Sequence, residues 1–164
     1  MLNSIKVDAV IRDDRATGTF PSEIHEGVGW WVASCFVIVA RTSALVLAHD
    51  GSPAGELFVD RMGNGATNAQ HYACQVSVLG QADETQLLDA ARQLGGVPAA
   101  RVSADGTTVT IDLYAEDGSR ITEETGWAKI RDQIRNDQVP RPVNDQAKGC
   151  VINRADLLTT ATAA

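Results

Sequence analysis

From Ile5 to Ile11 apolar and polar positions alternate, with Lys6 and Asp8 between Ile5, Val7 and Ala9, and a period of two predicts a half-buried strand. Asp13 to Gly18 reads as a loop. Pro21-Ser22-Glu23 marks a helix start, after which Val28, Trp31, Val32, Cys35, Phe36 and Val39 recur at helical spacing. Ala44 to Ala48 is a short apolar run closed by Asp50-Gly51-Ser52-Pro53, the pattern of a buried parallel strand ending in a turn. A helix is expected from Ala54 to Gln70, kinked or broken at Gly63 and Gly65, because each glycine costs roughly 1 kcal/mol of helix stability relative to alanine.

Gln75 to Leu79 predicts a third strand, and Asp83 to Leu94 a helix with Gly95-Gly96 at its end. Ala99 to Val102 and Thr108 to Tyr114 predict two strands joined by the turn Asp105-Gly106-Thr107, with Asp105-Gly106 suited to type I′ geometry. A last helix is expected from Glu123 to Asn136. Strands alternating with helices, plus one hairpin, imply a layered α/β/α domain: a mixed, mostly parallel sheet with helices on both faces. This domain is placed at 1–139. The small, polar residues of 140–164 read as a partly flexible tail with a short helical or extended piece around Cys150 to Leu158.

Charge and cysteine content narrow the function classes. A length of 164 residues fits one domain, and a net charge of -7 offers no basic footprint for nucleic acid or an anionic membrane. The longest apolar run, Val28 to Ala40, is too short to span a bilayer and follows a polar leader. Cys35, Cys74 and Cys150 are odd in number and widely spaced, which points to a reducing cytoplasm rather than to disulfides or a metal site. His25, His49 and His71 show no ligand spacing. Gly63-Asn64-Gly65 does not follow a strand directly and is not read as a dinucleotide fingerprint.

The order of these elements, with Ile11-Arg12, Leu45 through Ser52, Cys74 through Gly80 and Ala100 through Ser103 at the strand positions, resembles the first domain of the phosphomannomutase/phosphoglucomutase family, the α-D-phosphohexomutases. Members of that family carry a Tyr-Asp-Ile/Val-Arg-Gly segment, a Gly-Arg-Asp-x-Arg strand end and a phosphoserine in a Thr-Ala/Gly-Ser-His-Asn-Pro loop. In this chain Arg12 stands at the arginine of the first motif, flanked by Ala9, Val10 and Asp13. The second reads Ala48-His49-Asp50-Gly51-Ser52, with His49 at its first arginine. In the third, Ser103 stands at the threonine, Asp105 at the phosphoserine, and Gly106-Thr107 at His-Asn.

The resemblance implies a phosphoryl-transfer site with Asp105, or Ser103 in a shifted register, at the catalytic position and Arg12 and His49 against phosphate. Such chemistry needs a nucleophile, cationic side chains and a metal ion. Asp105 could be a nucleophile, imitate a phosphoserine or simply belong to a hairpin turn. Arg12 could hold phosphate or pair with Asp13, Asp14 or Glu26. The family's Asp-x-Asp-x-Asp-Arg metal loop lies in its second domain, so no cofactor is expected here, and Mg²⁺ only if a partner chain completes the site. The expectation is a non-catalytic binding or interaction module linked to sugar-phosphate metabolism, with a sugar phosphate, a homodimer or a partner protein as its contacts. The alternatives are one subunit of a phosphohexomutase-type phosphotransferase, and a homodimerising domain adjusted near Pro53, Gly55, Leu57 and the tail.

Overall fold

A computed structural model of the chain describes residues 6–69, 72–140 and 148–158. Position 71, the expected helix end at Gln70 and most of the expected tail lie outside them. In chain order the elements are α1 (Val7–Val10), β1 (Ile11–Arg12), β2 (Arg15–Thr19), α2 (Glu26–Ala40), β3 (Ala44–His49), α3 (Pro53–Thr67), β4 (Gln75–Gln81), α4 (Glu84–Gln93), β5 (Ala99–Asp105), β6 (Thr108–Tyr114), α5 (Ala128–Arg135) and β7 (Cys150–Asn153), with a π-helical turn at Glu123–Trp127 leading into α5. The strands form one sheet in the order β1-β2-β6-β5-β3-β4-β7. β5, β3, β4 and β7 pair in parallel, whereas β1, β2 and β6 add antiparallel partners on the other side.

The sheet is mixed and mostly parallel, with helices on both faces. Leu45 and Leu47 of β3 point to the face covered by α2 and α3, where they join Phe36, Phe58 and Met62. Val46 and Ala48 point the other way, to Leu87, Ala90 and Ala91 of α4 and to Leu157. Because both faces are covered, β3 reads as a continuous apolar run instead of alternating.

Several expectations are corrected. Residues 7–10 form a helical turn rather than a strand: Val7 and Val10 are buried while Asp8 and Ala9 are exposed, a spacing of three that overrides the apparent alternation. The expected loop at 13–18 contains β2. Only Asp13 and Asp14, both at positive φ, turn the chain between Arg12 and Arg15. Pro21 to Glu23 is a turn in which the Glu23 and Ile24 N–H groups donate to the Thr19 carbonyl, and α2 begins after His25, whose Nδ1 accepts from the Gly27 N–H.

α3 is unbroken through Gly63 and Gly65. A Cβ at Gly65 would collide with the Trp30 carbonyl oxygen of α2, so the glycine allows the two helices to meet backbone to backbone. The short extended piece expected within 150–158 is β7, paired with β4 from Gln75↔Cys150 to Val78↔Asn153. Among the described residues no helix is long and apolar enough to cross a membrane.

Candidate functional site

The loop after β5 was the expected place for chemistry, and it is a minimal reversal. Asp105 pairs with Thr108 in the ladder, which leaves Gly106 and Thr107 as the whole loop. Gly106 has φ +60 and Thr107 is not among the positive-φ residues, the pattern of a II′ turn. The type I′ expectation for Asp105-Gly106 is therefore corrected: Asp105 is a strand residue. The Thr107 carbonyl accepts from the Phe20 N–H at 2.7 Å, which ties the tip to the end of β2.

The residues at family-motif positions do not converge. Arg12 pairs opposite Arg15 on the outermost strand. It lies three strands across and four residues down the sheet from Asp105, roughly 20 Å by the usual strand spacing and rise. Its expected ion pairs with Asp13, Asp14 or Glu26 are replaced by a longer-range attraction to Glu23. Arg101, Ser103 and Asp105 alternate onto the sheet face that carries α4, whereas Val102 joins the core on the α2 and α3 face. His49 pairs beside Val102 and lines a cavity under α3. Ser103 and His49 thus lie on opposite faces of the sheet and cannot act as a nucleophile and its base.

The ordered polar geometry is at the ends of β3 and β4. β3 passes to α3 on one face and β4 to α4 on the other, so the connections leaving these neighbouring strands diverge beyond the last pair, His49↔Gln81, at the carboxyl ends where open α/β sheets hold ligands. Leu79 is bulged out of the ladder, since Leu47 pairs with Val78 but Ala48 with Gly80. Asp50 braces the junction. Its Oδ1 accepts from the Ser52 N–H at 3.0 Å and the Ser52 hydroxyl at 2.5 Å, and its Oδ2 accepts from the Ala104 N–H at 2.8 Å.

Partial burial alone would raise the Asp50 pKa. The Ser52 hydroxyl, the Ala104 and Ser52 N–H groups and the Arg101 charge outweigh it and hold the carboxyl below its ordinary value. Ser52 in turn caps α3, its Oγ accepting from the Gly55 N–H at 3.0 Å.

Two cavities flank this junction. On the α4 face, Asp50, Gln81, Asp83, Gln86 and Arg101 line one of about 370 Å³, and Arg101 Nε donates to the Ala82 carbonyl at 2.8 Å. On the α3 face, His49 lines a larger one of about 700 Å³. Sequence reading singled out His49 but missed the Asp50 brace and the Arg101 position, because both depend on β5 lying beside β3. The Asp50-Gly51-Ser52-Pro53 signature was the available clue. Among the described residues no three His, Cys, Asp or Glu side chains are grouped so as to hold a metal ion, so the residues described here do not fit a Mg²⁺ site by themselves.

The fold has solved counterparts. A phosphoglucomutase/phosphomannomutase family protein from Burkholderia thailandensis superposes with a TM-score of 0.73 over 91% of this chain at 15% identity. A protein assigned as a phosphomannomutase from Thermus thermophilus superposes with a TM-score of 0.68 over 88% at 15% identity. The fold is that of a phosphohexomutase domain. The chain spans 33% of the length of each counterpart, as one domain of such a protein would. The sequence matches no protein-family model and no curated protein.

Proposed function

We propose that this chain is a non-catalytic binding module built on a phosphohexomutase-domain fold. The reading rests on the β5–β6 connection: a phosphoryl-carrying loop must present its nucleophile to a substrate, and here the corresponding position is paired within a ladder beside a two-residue turn. Arg12 is too distant to hold a phosphoryl group at Asp105. What is left with both depth and ordered polar groups is the crevice at the ends of β3 and β4, which suits ligand capture. A link to sugar-phosphate metabolism follows from the fold's likeness alone.

The test is turnover of glucose 1-phosphate and mannose 1-phosphate with glucose 1,6-bisphosphate and Mg²⁺. The expected result is no conversion above a blank. Conversion that disappears in Asp105→Ala would overturn the reading.

A further inference from the structure

The α3-side cavity has a chemistry unlike that of a phosphate site. Its volume of about 700 Å³ lies in the range of small-molecule pockets. At its inner end His49 is only 9% exposed. The Gly51 N–H donates to His49 Nδ1 at 3.0 Å, which places the proton of the neutral ring on Nε2. That Nε2–H makes no hydrogen bond among the described residues, which leaves a donor for whatever enters. Glu56 and Asp60, one turn apart on α3, line the same cavity and supply two carboxylates, followed by the Asn64 amide. Val78 and Val151 add apolar lining.

Among the described residues no lysine or arginine lines the cavity, and the chain carries a net charge of -7. A phosphate ester would meet two carboxylates with no compensating cation, whereas an ammonium group would find both as partners. We propose that this cavity binds a small organic ammonium compound that also carries a hydroxyl or carbonyl oxygen, of the amino-alcohol class. The ammonium sits at Glu56 and Asp60, the oxygen accepts from His49 Nε2, and the carbon chain lies along Val78 and Val151. The inference rests on the binding-module reading, yet the two fail separately. Mutase turnover would remove the reading, and absence of amine binding would remove only the inference.

Calorimetric titration of the full chain with 5-aminopentan-1-ol, pentane-1,5-diol, pentylamine and glucose 1-phosphate decides it. Saturable binding of the amino alcohol is expected, stronger than that of the diol, which lacks the charge, and of pentylamine, which lacks the oxygen. Replacing the two exposed carboxylates in the double variant Glu56→Gln/Asp60→Asn is expected to weaken binding about tenfold. Both positions are exposed, and a melting curve of the variant without ligand checks that it is folded. The proposal is overturned by no saturable binding up to about 10 mM, which is below the affinity of any useful site. Equal affinity for the diol, an unchanged affinity in the folded double variant, or tighter binding of glucose 1-phosphate would overturn it as well.

Discussion

The two halves of the sheet solve different problems. The parallel half, β5-β3-β4-β7, has α3 on one face and α4 on the other, so the connections leaving β3 and β4 part at a junction braced by the Asp50 carboxylate. The antiparallel half, β1-β2-β6, buries Ala16, Val109, Ile111 and Leu113 on one face. Its other face is a polar lattice: Thr17 and Thr110 share a hydroxyl hydrogen bond of 3.0 Å, and Asp112 pairs with Arg15 and Arg120. Tight two-residue turns close its hairpins at 13–14 and 106–107. Antiparallel neighbours can be joined by such turns, and a two-residue turn leaves no backbone to cradle a substrate. Parallel neighbours need crossovers, and crossovers leaving to opposite faces leave space between them. The proposed binding role therefore falls to the parallel half, with Ser103 and Asp105 on its β5 strand, where the two halves meet.

The sharpest way to break the parallel half is Gly65→Ala. The added methyl meets the Trp30 carbonyl, and separating α2 from α3 should cost roughly 3 kcal/mol. Thermal unfolding should then show a Tm lower by on the order of 10 °C, while an unchanged Tm would mean that the helices are not in backbone contact.

A smaller effect is expected from Asp50→Ala, which removes the acceptor for Ala104 and Ser52 and should cost about 2 kcal/mol in chemical denaturation. The sign of its pH dependence follows from the lowered Asp50 pKa. A carboxyl lowered on folding contributes stability above its unfolded pKa of about 3.9, and that contribution is lost as pH falls through the folded value. The stability gap between the wild type and Asp50→Asn should accordingly shrink on acidification below about pH 4. A gap that widened there would contradict the brace.

The smallest effects belong to the hairpin. Asp105→Ala and Ser103→Ala should each change stability by no more than about 0.5 kcal/mol, since neither side chain makes a hydrogen bond among the described residues and Asp105 is exposed. Either variant losing ligand binding in titration would move the site to the β5–β6 hairpin.

Legibility followed the same division. β3 was readable to within a residue as a continuous apolar run, and α4 from Asp83, which forms a capping box with Gln86. β1 and β2 were misread because a one-turn helix and a two-residue strand are shorter than any pattern can resolve, and because Asp13 and Asp14 adopt positive φ without a glycine to announce it. The turn read at Asp105-Gly106-Thr107 did form a hairpin, but with Asp105 in the strand and Gly106-Thr107 as the whole turn. α3 was expected to break at Gly63 and Gly65 on propensity. Helix propensity amounts to about 1 kcal/mol per glycine, and packing against α2 outweighs it.

By itself the sequence determined the layered α/β class, the order of most elements and the turn signature after β3, because these depend on local period and on residues that start or stop elements. Only the tertiary structure decided that β5 lies beside β3, so that Asp50 reaches the Ala104 N–H, that His49 and Ser103 face opposite sides of the sheet, and that residues 150–153 complete its edge. These are contacts between positions tens of residues apart. Their geometry is set by strand order and by the alternation of side chains across the sheet, neither of which is written in any single stretch of the chain.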